Sequence, residues 1–392
     1  MLILIACVIF ASNLTFAQDA KEVNTGYSFT MLKENASTPA KDQYRSGTCW
    51  SFSGIGLLES ELLKDGKGEY DLSEMWIVRH AYMEKAERYI RFHGKINFAA
   101  GGGFHDITEM IKRYGIVPEE VYPGLNYGEK KHNHSEVDKV LEAFCNAIIS
   151  QKVLTTAWKE AFNSILDAYF GKIPENFTYK GVTYTPETFA KSLGLNLDDY
   201  VEIGSFTHVP FYTSFILEIP DNWLLGSVYN VPLDDMMQII DNAINNGYTV
   251  GWGSDVSEKG FSWKNGVAII PDEEKTDLSG TERDRWEKLT AAEKAKSAYS
   301  FDGNAKEKEI TQQLRQEAFD NYNTTDDHGM LIVGIAKDQH GNKFYKVKNS
   351  WGTEGKYNGY FYASEAFVKY KTIDFMINKN ALNKDMRKKL GL

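Results

Sequence analysis

The chain has 392 residues, with 44 basic against 54 acidic side chains and a formal charge of -10. That balance speaks against nucleic acid as a partner, because surfaces that bind it carry an excess of positive charge. A hydrophobic share of 42% and an aromatic share of 13% supply a large core and exclude a disordered chain.

Residues 1–17 are uncharged and mostly apolar, and Thr15 and Ala17 put small side chains at the minus-three and minus-one positions. This is the pattern of a signal peptide cut before Gln18, so an exported, periplasmic or extracellular protein is expected. The run is short for a membrane span and no later stretch reaches spanning length, so no stable membrane span is expected. Leu4-Ile5-Ala6-Cys7 also fits a lipoprotein cleavage site, the less favoured reading because Cys7 lies so close to the start. Residues 18–41 read as an extended polar lead-in across the surface.

Gln43-Tyr44-Arg45-Ser46-Gly47-Thr48-Cys49-Trp50 then runs into a helical stretch over 51–64, where Ile55, Leu58 and Leu62 share a face and Gly66 supplies a stop. Cys49 therefore falls at the first turn of a helix, where unpaired N–H groups and the macrodipole favour a thiolate. Six residues upstream, Gln43 is placed to donate its amide to a developing oxyanion beside the N–H of Cys49. A second helix is expected over 72–91, carrying Trp76, Tyr82 and Met83 behind the first. The run Gly101-Gly102-Gly103 follows, read by itself as a flexible turn. His105 has no obvious partner and reads as packing or a cleft wall.

Residues 126–200 read as a long, mainly helical insertion. Within it His132 and His134, lacking carboxylate or cysteine support, read as a solvated loop and not a metal site. No metal and no cofactor is expected. Cys145 lies in an amphipathic run over 137–154 and reads as a small core residue, so Cys49 and Cys145 are expected to be free thiols.

After Phe206 the pattern turns to short strands at 215–219, 249–252, 330–336, 344–348, 359–363 and 372–377, with a helix over 233–245. The charged stretch 271–321 reads as a second helical insertion with a solvated face. It delivers the chain to Asp326-Asp327-His328, a histidine ahead of an apolar strand, and the next strand ends in Asn349-Ser350-Trp351-Gly352. Asp326 and Asp327 either hold His328 protonated to higher pH, favour a positively charged group nearby, or are solvated loop carboxylates. Leu382, Met386 and Leu390 are spaced for a short helix docked on the strands.

Cysteine first, histidine much later and asparagine last is the order of the papain superfamily of cysteine peptidases, which this chain resembles. The resemblance is closest to the bleomycin hydrolase and aminopeptidase C branch. It extends over Asp71-Leu72-Ser73-Glu74, Gly102-Gly103-Phe104-His105-Asp106, Tyr114-Gly115-Ile116-Val117-Pro118 and Leu195-Asn196-Leu197-Asp198-Asp199-Tyr200. Ser46 stands where papain proper has a disulfide cysteine. Thr48 stands where the branch commonly has arginine, which removes a positive neighbour of Cys49.

The resemblance implies an α+β, papain-like two-lobed fold, with a helical lobe over about 42–205, an antiparallel β-barrel-like lobe over 206–378, helical insertions and a tail over 379–392. It implies a peptidase acting on peptide substrates, with Cys49 as nucleophile, His328 as base, Asn349 as its orienter and Gln43 in the oxyanion hole. Gly102 and Gly103 would pair with the extended substrate, and Trp351 would shield the histidine–asparagine bond. A closed homo-hexamer is implied as well. The branch ends in an arm whose carboxylate restricts cutting to amino-terminal residues, and the tail over 379–392 lacks the extended ending of that arm. A relaxed exopeptidase restriction is therefore expected, with strict aminopeptidase action as the alternative. Two rivals come from other classes, a silent papain-like binding protein and an enzyme transferring acyl groups to amines. The complete set of Cys49, His328, Asn349 and Gln43 argues against the first, and an asparagine in place of the usual aspartate argues against the second.

Overall fold

A computed structural model describes residues 26–272, 288, 290, 292 and 298–392. The signal-peptide stretch, and part of the charged stretch 271–321, lie outside the described residues. The architecture is α+β, with helices packed against one large, mostly antiparallel sheet.

The helical half is built around α1 (Cys49–Lys64), buried continuously from Trp50 to Leu62. Its apolar and small side chains put it in the middle of a core, and its buried Glu59 and Glu61 accept from Thr38 and Asn378. Two glycines let its neighbours approach. A Cβ at Gly54 would lie 2.5 Å from Ile107 Cγ1, and one at Gly56 would lie 3.4 Å from Lys348 Nζ. Around it pack α2 (Glu74–Arg91), capped by Ser73 Oγ accepting from the Trp76 N–H at 3.0 Å, and α3 (Phe104–Tyr114), which starts at Gly103 and stops at Gly115. The insertion supplies α4 (Ser135–Ile149), α5 (Ala157–Phe170), the hairpin β2 (Phe177–Tyr179) and β3 (Val182–Tyr184), and α6 (Pro186–Leu193). Cys145 is fully buried in α4, which ends at Ile149 and not at 154.

The eleven-stranded sheet begins earlier than the strand pattern indicates. The lead-in contains β1 (Phe29–Glu34), paired with β10 (His328–Asp338), and β4 (Tyr200–Gly204) precedes Phe206. The order continues through β5 (Ser214–Ile216), β6 (Ser227–Asn230), β4, β13 (Thr372–Asn378), β7 (Val250–Ser254), β10, β11 (Lys343–Lys348), β12 (Tyr360–Ser364), β9 (Val267–Ala268) and β8 (Phe261–Ser262). Alternation along the strands separates two cores. Leu331, Val333 and Met376 join the core of α1, while Met330, Ile332, Phe375 and Ile377 join a second core with α7 (Leu233–Asn245). Two further helices, α8 (Gln312–Asp320) and α9 (Glu365–Lys371), pack at the same end. The tail forms α10 (Lys384–Leu390), whose Met386 and Leu390 enter the second core, on the sheet face opposite α1.

Candidate active site

The two halves meet where the first turn of α1 faces the start of β10. Gly329 makes that contact. A Cβ on it would lie 2.8 Å from Ser53 Oγ and 3.1 Å from Trp50 Cα, so any side chain would wedge the halves apart. The main-chain N–H groups of Gly329 and Trp50 lie near enough to the Cys49 sulfur to favour its thiolate. Cys49 stays partly exposed, while His328, one residue before that glycine, is 5% exposed.

His328 is oriented by two neighbours. Its Nε2 lies 2.7 Å from Asn349 Oδ1, and Trp351 stacks on the ring at 4.8 Å between centroids. The Ser350 N–H also donates to Asn349 Oδ1 at 2.8 Å, which identifies that atom as the amide oxygen. The proton of a neutral imidazole therefore sits on Nε2, and Nδ1 is left as the basic nitrogen. Phe261 and Trp263 pack edge-on to Trp351 and keep this side dry.

Gln43 is fixed by Ser350. Its N–H donates to the Ser350 carbonyl at 2.8 Å and its Oε1 accepts from Ser350 Oγ at 2.5 Å, so the amide NH2 is the end left to donate. In the segment that follows, His134 N–H donates to the Arg45 carbonyl at 3.0 Å and Arg45 N–H to the His132 carbonyl at 3.0 Å. His132 and His134 are therefore not a solvated loop. They are 8% and 0% exposed, packed edge-on to Phe52 and Phe170 beneath the Gln43–Cys49 turn. Burial pushes them down to about 4 and about 3, so both rings are neutral packing elements.

Electrostatics departs from the simple helix-terminus picture. Burial, with Asp326 and Asp221 nearby, pushes the Cys49 thiol up to about 12, and burial pushes His328 down to about 4. Either ion alone is disfavoured in this desolvated place. Asp327 does not reach His328; it accepts from Ser257 N–H at 3.1 Å and Thr325 Oγ1 at 2.9 Å. Asp326 acts on the thiol and does not raise the imidazole.

The glycine run lies beside Trp50. A Cβ on Gly102 would lie 2.5 Å from Asp106 Oδ2 and 2.9 Å from the Trp50 ring, so only glycine fits. Lys85 Nζ donates to the carbonyls of Ala99, Ala100 and Gly101, and Trp50 Nε1 donates to Ala100 at 2.9 Å. The Gly103 N–H is committed to Asp106 Oδ2 at 3.1 Å. Gly102 is thus the member of the pair whose main-chain groups remain open. His105 does have partners, with Nδ1 3.0 Å from Glu202 and Nε2 3.3 Å from Asp106. Glu202 sits on β4, far away in sequence, and no local signal marks it. Ser350 was the more legible omission, since it lies inside the Asn-Ser-Trp-Gly motif.

A family profile, the Peptidase C1-like family, matches residues 3–272 and 290–391. Aminopeptidase C of Streptococcus thermophilus is 23% identical over 405 residues, covering 91% of this chain and 83% of its own. Aminopeptidase G of Lactobacillus delbrueckii subsp. lactis is 22% identical over 397 residues, covering 89% of this chain and 83% of its own. The crystal structure of PepW from Lactobacillus rhamnosis superposes with a TM-score of 0.69 at 20% identity, over 92% of this chain and 84% of that one. The fold is common to both.

Proposed function

The chain belongs to the Peptidase C1-like family, and from that membership we propose a cysteine peptidase of the bleomycin hydrolase and aminopeptidase C type. The observation that carries the reading is His328, held by Asn349 Oδ1 at 2.7 Å with Nδ1 left basic, beside a cysteine at a helix N-terminus.

In the proposed reaction His328 Nδ1 takes the proton of the Cys49 thiol as the sulfur attacks the scissile carbonyl carbon. The resulting oxyanion is held by the Gln43 amide and the Cys49 N–H. Collapse breaks the C–N bond, His328 gives its proton to the leaving amine, and a thioester remains on Cys49. Water then adds to the thioester with His328 as base. The carboxylic acid departs and the thiol is restored. Asn349 keeps the imidazole in one tautomer, Trp351 covers that bond, and Gly102, whose main-chain groups are open beside the committed Gly103, receives the substrate backbone.

A relaxed exopeptidase restriction is part of this proposal, supported by residues 384–390, which pack as α10 in the second core on the sheet face opposite α1. The resemblance supports a homo-hexamer, checked by light scattering. The apolar stretch 1–17 supports export, checked by sequencing the N-terminus of the native protein. The reading as a whole is tested by digesting a peptide library and labelling with an epoxide-type thiol inhibitor. Cut peptides, with label on Cys49 alone, are expected; an intact library and no label would leave the silent binding protein.

A further inference from the structure

Resting on the peptidase reading, we propose that Lys85 is a positioning residue for substrate binding, whose buried ammonium shapes the run 99–101 so that Gly102 stands open to the substrate backbone. Residues 97–102 belong to no helix or strand, and among the described residues their main chain makes no hydrogen bond to another main chain. Main-chain groups inside a protein must still find partners. Side chains provide them here. Lys85 Nζ donates to the Ala99 carbonyl at 2.8 Å, to that of Ala100 at 3.3 Å and to that of Gly101, while Trp50 Nε1 donates to Ala100 at 2.9 Å. An ammonium has three donors, and all three are used. Successive carbonyls of an extended strand point to opposite sides, so three in a row on one atom mean that the run curls around Nζ. Gly102 is the next residue, and its own groups stay free of main-chain partners.

Lys85 lies on α2, is 2% exposed and forms no ion pair among the described residues. The rings of Trp50, Tyr82 and Trp223 lie around it, their centroids 5.6, 5.7 and 5.6 Å from Nζ. Burial lowers its pKa, and Asp106, Asp221 and Asp138 oppose that from α3, the loop between β5 and β6, and α4. A methionine would fill such an aromatic pocket without the cost of desolvating a charge. What a methionine lacks is the means to gather carbonyls, so the ammonium is explained by the run that it holds. On its other side the run abuts the residues around the nucleophile. A Cβ on Gly47 would lie 2.8 Å from Ala100 Cβ, and one on Gly102 would lie 2.9 Å from the Trp50 ring. The run is thus gripped between Lys85 and the turn that leads to Cys49, and loss of the first grip leaves Gly102 free to drift.

The test is a series of fluorogenic amides with one to four residues ahead of the scissile bond, followed as kcat and KM. In the parent protein kcat/KM is expected to climb once the substrate backbone reaches Gly102. Lys85→Met keeps the length of the side chain and removes every donor, and it should lose about tenfold of that climb, mostly in KM. Lys85→Gln keeps two N–H donors and should fall between the two. Alkylation of Cys49 by iodoacetamide, which needs no substrate backbone, is expected to keep the parent's rate in both variants. Equal losses at every length, with alkylation slowed in step, would show a general support of the core and overturn the positioning role. So would a climb unchanged in Lys85→Met, or thermal melting of both variants too low for assay. If the parent protein cleaves none of the series, the peptidase reading fails by itself. Calorimetry of the same peptides on Cys49→Ala, with and without Lys85→Met, still decides the role. Tighter binding of the longer peptides that Lys85→Met abolishes would sustain it, and equal binding would overturn it.

Discussion

Ser350 clamps Gln43 twice, through its hydroxyl to Oε1 at 2.5 Å and through its carbonyl to the N–H at 2.8 Å. The residue after the asparagine that holds the imidazole thus also holds the amide that the proposed mechanism offers to the oxyanion. Gln43→Ala is expected to lower kcat by on the order of a hundredfold or more, as loss of an oxyanion donor does elsewhere. Ser350→Ala frees the amide without removing it, and about tenfold is expected. Because both act through one group, Ser350→Ala added to Gln43→Ala should change kcat little further, which a double-mutant cycle measures.

Cys49→Ala and His328→Ala should each abolish release of a fluorogenic amine while leaving the melting temperature close to that of the parent. Asn349→Ala should retain more activity than either, because the asparagine orients the ring and exchanges no proton with substrate. Full turnover by Cys49→Ala would show that the nucleophile lies elsewhere.

Gly329→Ala tests the junction between the halves. Its methyl would meet Ser53 Oγ at 2.8 Å and Trp50 main-chain atoms at 3.1 and 3.2 Å, so α1 or β10 must shift. A loss of about 1–3 kcal/mol in denaturant unfolding is expected, together with reduced activity as Cys49 and His328 separate.

Asp374→Asn gives a pH signature that needs no substrate. The folded state raises this carboxyl, so above its ordinary value near 3.8 the unfolded chain is ionised while the folded chain still holds a proton. Stability from this group is present at low pH and is lost as pH rises through that window. Asparagine does not titrate. The variant should therefore gain on the parent progressively above about pH 4. Parallel pH–stability curves for the two proteins would contradict the assignment.

The residues that carry local signals were the legible ones. Cys49, His328 and Asn349 sit in short motifs whose residue types follow from the reaction, and α7 (Leu233–Asn245) coincides with its apolar periodicity. What escaped depended on distant partners. The strand β1 has no clean apolar–polar alternation, with Leu32 on its exposed side, and shows its role only once β10 lies beside it. His132 and His134 look hydrophilic in sequence because nothing there shows that Phe52 and Phe170 close over them.

The lead-in that became β1 ties the order of folding to the order of synthesis. From β1 the chain runs through Asn35, whose Nδ2 donates to the Ile244 and Tyr248 carbonyls at 2.9 and 2.8 Å, and through Thr38, whose hydroxyl donates to Glu59 at 2.6 Å. Lys41 pairs with Glu74 at 2.6 Å before the chain reaches Gln43 and its clamp at Ser350. Residues some three hundred positions apart must therefore meet before the oxyanion donor is fixed, a closure whose entropy is met late in folding. On the ribosome, Cys49 emerges long before His328, Asn349 and Ser350 exist to serve it. In the proposed mechanism the nascent chain therefore carries a nucleophile without its base through most of its synthesis.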